Sequence, residues 1–248
     1  MQIDQPIFDT KAWKLTAQQQ DLTARARDIG QNKFAGRAAD YDTRAAFPTE
    51  NYNDLFDANL MGICIPKEAG GEGADFLTYA LTAAEIGRYC GATALTWNMH
   101  VCSTLWSGLL SDDLEMDSAT RALHLKNREV HYQRILEQRA IYSQPFSEGG
   151  AAAAGTTAFA TVAHKVPGGW RVNGKKIFAS LAGHANYYGV LCTETSEEIT
   201  ELSRRNTTYL AIPATADGVS VEGPWDPVGM RGTVSRTLIF KDVFVPQD

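Results

Sequence analysis

Basic tracts, long apolar runs and clustered cysteines are all missing from this sequence, and each absence closes off a class of function. The 248 residues carry 23 Lys and Arg against 29 Asp and Glu, a net charge of −6. No stretch gathers the cations that a phosphate backbone requires, so nucleic acid is not an expected partner. No segment comes near the ~20 apolar residues that span a bilayer, so no membrane partner is expected either. The opening Met1-Gln-Ile-Asp-Gln-Pro6 has no basic region leading into an apolar core, which makes the cytoplasm the expected location. Cys64, Cys90, Cys102 and Cys192 are scattered with no C-x-x-C pair. They fit neither a zinc site nor a disulfide scaffold and read as buried thiols. Apart from Ala151 to Ala154 there is no low-complexity tract, and no internal repeat is evident.

What is present divides by period. In the first half the apolar residues recur at helical spacing. Thr16-Ala-Gln-Gln19 fits a capping box, and Leu22, Ala26 and Ile29 predict an amphipathic helix running toward Ala39. Phe47-Pro48 opens a second helix with Tyr52, Leu55 and Phe56 on one face. Leu60 to Gly73 is an apolar run closed by Pro66 and glycines, a break between helices. Leu77, Ala80, Leu81 and Ala84 predict a helix to Arg88, and another runs from near Ala92 through Trp106. Asp117 is a plausible N-cap for a solvated helix toward Ala140, with Leu123, Val130, Ile135 and Leu136 as its sparse apolar side. His124 and His131 share a face of it, two turns apart, without the closer ligands a metal wants.

After Ala140 the period becomes two: Phe159, Thr161 and Ala163, then Trp170 and Val172, later Val219, Val221, Leu238 and Phe240. Gly168-Gly169 and Asn173-Gly174 read as turns bracketing Trp170 to Val172. The expected fold is α+β, with an all-α domain over residues 1–139 and a small antiparallel β-barrel or sandwich over 140–248.

Two segments carry the chemistry: Tyr142-Ser-Gln-Pro-Phe-Ser-Glu-Gly-Gly150 and Gly169-Trp-Arg-Val-Asn-Gly-Lys-Lys-Ile-Phe-Ala-Ser180. Small residues from Gly149 to Ala154 let a ligand lie against backbone N–H groups. Ser147 and Ser180 offer short hydroxyls to the polar edge of a flat ring, and Phe178 could stack on its face, an arrangement that suits a flavin. By themselves the same residues also read as a tight loop and a hairpin.

Both segments, in order, resemble the acyl-CoA dehydrogenase family, whose central β-domain has a Ser/Thr-Glu-Pro-Gly segment, a Gly-Trp/Tyr-x-x-Asn-Gly-x-Lys hairpin and an aromatic-x-Ser/Thr step. Leu60 to Gly73 resembles the family's Gly-x-x-x-x-Pro-x-x-x-Gly-Gly-x-Gly segment. Gly229-Met-Arg-Gly-Thr233 followed by Phe240-Lys-Asp-Val-Phe-Val-Pro246 resembles its final β-domain motif. The resemblance runs from Thr16 to Asp248 and is poorest between Leu110 and Ala140. It implies FAD as cofactor, held by Gln144, Phe146, Ser147, Ala153, Phe178 and Ser180, and an acyl-CoA substrate touched by Trp97, Asn98, His100, Ala153 and Arg231. It also implies an electron-transfer flavoprotein or similar acceptor and a homodimer or homotetramer active in fatty acid metabolism.

Gly149 stands where the family has Pro, and Ala152-Ala153-Ala154 where it has Gly-Ser-Asp, so a substrate other than an ordinary fatty acyl-CoA is open. The family's proton-abstracting Glu sits in a C-terminal helical domain expected to begin where Val245-Pro-Gln-Asp248 stops. Glu148 belongs to the structural Ser/Thr-Glu motif and is not read as that base, and no catalytic residue is assigned. A flavin monooxygenase of the same fold, and a non-catalytic binding subunit completed by another chain, stand as alternatives to the dehydrogenase.

Overall fold

A computed structural model describes residues 13–149, 157–197, 199 and 202–247. The chain divides into two compact units: residues 1–140 with 226–233, and residues 141–225 with 234–248.

The first unit is helical. At its start the Thr16 hydroxyl accepts from Gln19 N and the Gln19 side chain accepts from Thr16 N, so a complete capping box opens α1 (Ala17–Ile29). Leu22, Ala26 and Ile29 are buried on one face, as their spacing predicts. The helix does not continue regularly: a π-helical turn, Gly30–Phe34, intervenes before α2 (Ala35–Arg44). At Gly30 a Cβ would lie 2.2 Å from Tyr89 Cδ2, so the absent side chain lets the Tyr89 ring close against the backbone.

Next come α3 (Thr49–Asp57), a loop whose Leu60, Met61, Ile63, Cys64 and Ile65 are all buried, and α4 (Phe76–Tyr89), capped by Asp75. In α4 the predicted face is corrected. Leu77 and Ala80 are exposed, while Thr78, Tyr79, Leu81, Thr82, Glu85, Ile86 and Tyr89 are buried. The cause is polar: Glu85 turns inward because Arg27 and Arg88 both pair with it. Then follow α5 (Gly91–Ser107), α6 (Leu109–Asp112) and α7 (Ser118–Leu136), whose Asp117 cap accepts from the amides of Ala119 and Thr120. Leu123 and Val130 of α7 are exposed and Ile135 is buried. No helix among the described residues is long and apolar enough to cross a membrane.

The second unit is a sheet of β1 (Tyr142–Ser143), β2 (Val162–Val166), β3 (Gly169–Ala179), β4 (Tyr187–Thr195), β5 (Thr207–Pro213), β6 (Val219–Glu222) and β7 (Arg236–Pro246). Its order is β1-β4-β2-β3-β7-β6, with β5 also paired to β4. The sheet is mixed, since β4 pairs in parallel with β1 at Tyr187–Tyr188 and with β2 at Thr193–Thr195. The remaining pairings are antiparallel, as expected. Ala163, Val172, Leu238, Phe240 and Val243 form its interior with Val190 and Ile212.

Pro167-Gly168 turns β2 into β3, with Gly168 at φ +83°. Asn173-Gly174, expected as a second turn, is instead a bulge inside an 11-residue strand, where the β3–β7 register shifts. Two contacts decide it: Asn173 Oδ1 accepts from Asp242 N at 2.8 Å, and a Cβ on Gly174 would stand 2.6 Å from Thr161 Cα.

Candidate functional site

The two segments singled out by the sequence lie side by side in the β unit. Residues 142–149 run along the end of β3. Ile177 N donates to Ser147 O at 2.8 Å, the Ser143 hydroxyl donates to Ser180 O at 2.5 Å, and Lys176 Nζ donates to Glu148 Oε1 at 2.7 Å. Gln144, Phe146 and Ser147 are thereby brought into one neighbourhood with Phe178 and Ser180. Ala153 lies outside the described residues.

At this neighbourhood β3 breaks its regular form. A second register shift separates Lys176 from Ala179, and between them Phe178 takes φ +51° with 65% of its surface exposed. A bulky residue in the left-handed region costs on the order of 1–3 kcal/mol, and such strain clusters where a side chain must be presented. The Phe178 ring and that of Trp225 meet edge to face, with centroids 6.1 Å apart. Phe146, 36% exposed, sets its ring edge-on to buried Phe159 at 5.5 Å.

The polar groups here are buried and ordered. The Ser180 and Ser235 hydroxyls share a hydrogen bond of 2.8 Å. Gln144 Oε1 accepts from the Tyr209 hydroxyl at 2.8 Å, while Gln144 Nε2 is buried with no hydrogen-bond partner. An orphaned buried donor costs about 1–3 kcal/mol, so this amide is a place where a ligand acceptor would be stabilised. Ser143, Tyr209, Trp225 and Ser235 were not singled out from sequence. Their link to the two segments is tertiary, with no local spacing to betray it.

Glu148 is an anchor of this shelf. Its carboxylate accepts from Ala160 N at 2.7 Å, Thr161 N at 2.9 Å and Lys176 Nζ. Burial works against its charge, but the hydrogen bonds from Lys176 and Thr161 hold its carboxyl below the usual range. Burial also pulls the Lys176 ammonium below its ordinary value, with Glu148 opposing. Lys176 Nζ donates to Leu191 O at 2.7 Å as well and lies 4.5 Å from the Phe159 ring centroid. Arg204 sits 3.9 Å from the same centroid and donates to Thr157 O at 2.6 Å.

In the helical unit the residues expected at the substrate all make contacts within the protein. Trp97 is fully buried, its indole N–H donating to Leu60 O at 3.2 Å, and His100 is fully buried with Nε2 3.0 Å from Met61 O. Burial lowers the His100 pKa to about 4. Both side chains tie the 60–65 loop to α5 through these bonds. Asn98 is half-buried and accepts from the Tyr79 hydroxyl. Arg231 is also engaged locally. Nε donates to Asp42 O at 2.7 Å, Nη2 pairs with Asp42 Oδ2, and Nη1 reaches Pro227 O and Val228 O. It ties the 226–233 segment to the end of α2. Among the described residues no three His, Cys, Asp or Glu side chains converge as a metal site, and all four cysteines are free thiols, Cys102 half-buried and the others buried.

The arrangement defines a class: a helical unit followed by a mixed-sheet unit that presents a strained exposed aromatic beside short hydroxyls and an unused buried amide, suited to a flat ring with a polar edge. Residues 16–109 match the family described as "Acyl-CoA dehydrogenase, N-terminal domain", and residues 146–243 match "Acyl-CoA dehydrogenase, middle domain". The chain belongs to the acyl-CoA dehydrogenase family. It is 25% identical over 244 residues to the probable acyl-CoA dehydrogenase YngJ of Bacillus subtilis (strain 168), covering 94% of this chain and 58% of that protein. Its fold is similar to that of butyryl-CoA dehydrogenase from Megasphaera elsdenii, with a TM-score of 0.73, 23% identity, and coverage of 94% of this chain and 58% of that one. FMN-bound TdsC from Paenibacillus sp. A11-2 gives a TM-score of 0.75 at 21% identity, over 91% of this chain and 52% of the other. The chain thus spans little more than half the length of the relatives it matches.

Proposed function

We propose that the chain is the flavin-binding part of an oxidoreductase that oxidises an acyl thioester between its α and β carbons. The observation that carries this reading is the shelf at the end of β3: Phe178 in its strained, exposed conformation, beside Ser180 and the orphaned Gln144 amide. An isoalloxazine fits those donors. Phe178 and Phe146 would lie against the ring, and Ser147, Ser180 and Gln144 would meet its polar edge. FAD is the form proposed, supplying a two-electron acceptor next to the substrate when bound. What the protein contributes here is orientation. The Glu148–Lys176 pair and the Ser143 hydrogen bond fix the two segments, so the ring meets groups already in place. Family membership supports an acyl-CoA thioester as the substrate class, and the same reading takes an electron-transfer flavoprotein as acceptor and a homodimer or homotetramer as the assembly.

Glu148 is excluded as the α-proton base on physical grounds. A base working near neutral pH needs a raised carboxyl pKa, and this one is lowered and fully committed to Lys176 and two backbone amides. A second reading is a monooxygenase of the same fold, in which reduced flavin takes up oxygen and no carboxylate base is needed; Ala152-Ala153-Ala154, where the dehydrogenases have Gly-Ser-Asp, favours it. The experiment is an anaerobic titration of the FAD-loaded protein with an acyl-CoA. Loss of the yellow absorbance supports dehydrogenation. Reduction only by an external reductase, with oxygen then consumed, supports the monooxygenase. Failure to retain flavin under either condition overturns both.

A further inference from the structure

Tyr209 and Gly189 have no assigned role, yet together they fix the Gln144 carboxamide on the shelf. Gln144 is 7% exposed. Its Oε1 is fixed by the Tyr209 hydroxyl, which reaches it from β5 across 65 residues of sequence. Tyr209 can stand there only because residue 189 is glycine: a Cβ at that position would lie 2.0 Å from Tyr209 Oη and 2.9 Å from Gln144 Oε1. Gly189 sits within β4, paired with Ala211 of β5, so its backbone is fixed by the sheet and cannot move aside. A strand interior seldom uses glycine without a close approach to explain it, and here the approach is this hydroxyl. With Oε1 held, rotation of the carboxamide is restrained, and Nε2 has no acceptor among the described residues.

We propose that Gln144 donates this N–H to an acceptor atom on the polar edge of the bound flavin ring, and that Tyr209 is the positioning residue that aims it, in the space Gly189 leaves. The proposal rests on the flavin reading above. It adds to it a specific donor and the pair of residues that orient it. A donor at an acceptor edge favours the more electron-rich, reduced ring, so the device sets the potential of the flavin as well as holding it.

The test uses the 248-residue chain with FAD, and with FMN in parallel, measuring affinity by quenching of flavin fluorescence and the two-electron midpoint potential of the bound flavin. Gln144→Leu is expected to weaken binding about tenfold and to lower the potential by roughly 30 mV, the same factor of ten for two electrons. Its thermal midpoint without flavin should change little, because the variant removes an unpaired buried donor together with the acceptor of the half-buried Tyr209 hydroxyl. Tyr209→Phe keeps Gln144 but frees its rotation, and should lower the potential in the same direction by a smaller amount. If wild type binds either flavin and both variants match its affinity and potential, the proposal is overturned while the flavin reading stands. If the flavin-free Gln144→Leu protein loses stability and its potential is unchanged, Gln144 is structural and the proposal fails. If wild type binds neither flavin, the reading beneath the proposal falls and takes it along.

Discussion

Replacing Lys176 by methionine keeps an unbranched side chain, one atom shorter, and removes its charge. In the native protein the Lys176 side chain is fully buried and that of Glu148 nearly so, with the ion pair at 2.7 Å. The variant leaves the Glu148 carboxylate buried with only the amides of Ala160 and Thr161 for company. Breaking one side of a buried pair costs about 3–5 kcal/mol, because the remaining charge is uncompensated. Lys176→Met is therefore expected to lose about that much in urea unfolding followed by tryptophan fluorescence. The double variant Glu148→Gln, Lys176→Met should recover most of the loss, since no charge is then left behind. The acid side gives an independent sign. Glu148 has a folded pKa below its unfolded value, so its contribution is present above about pH 4.3 and disappears as pH falls through the folded pKa. The gap between wild type and Lys176→Met should accordingly narrow as pH drops below about 4. A single variant within about 1 kcal/mol of wild type at neutral pH would refute the reasoning, as would a double variant no better than the single.

His100 supplies a second pH signature. Its folded pKa is about 4 against an ordinary 6.5, so protons bind the unfolded chain preferentially and stability rises between those values, by about 3 kcal/mol in total. The difference in stability between pH 7.5 and pH 4.5 (both roughly chosen to bracket the titration) should shrink in His100→Gln, and an unchanged difference would contradict the burial of a neutral imidazole. Gly174→Ala is expected to destabilise by more than about 2 kcal/mol, because its Cβ would stand 2.6 Å from the Thr161 backbone. Gly36→Ala on α2, where nothing lies within 4 Å, should instead stabilise by about 0.5–1 kcal/mol, and thermal melts of the two variants that shift together would sink this account of the bulge.

What the sequence disclosed depended on how local the deciding contact was. The Thr16 capping box and the Asp117 cap are settled within three residues of chain, and both are found as read. The change of period after Ala140 separated helices from strands for the same reason. Asn173-Gly174 misled because Asn-Gly favours a turn, and only the distant Asp242 amide and the Thr161 backbone make it a bulge. The buried face of α4 was hidden because apolar residues lie on both sides of it, and the ion pairs of Glu85 with Arg27 and Arg88 decide which side turns in. The bonds of Trp97 and His100 to the carbonyls of Leu60 and Met61 could not be read from sequence, because backbone carbonyls carry no side-chain signature. At the shelf, motif resemblance pointed to Phe178 and Ser180. The strain at Phe178 and the Gln144–Tyr209 pair are products of tertiary structure, and one sequence does not carry them.

The central claim, that the end of β3 and the 144–147 segment together receive a flavin, is tested most directly by mapping backbone amide shifts of the 248-residue chain as FAD is added. The account predicts the largest shifts at Gln144, Phe146, Ser147, Phe178 and Ser180, with the far end of the β3–β7 ladder unmoved. Shifts concentrated elsewhere, with those five amides silent at saturation, would contradict it.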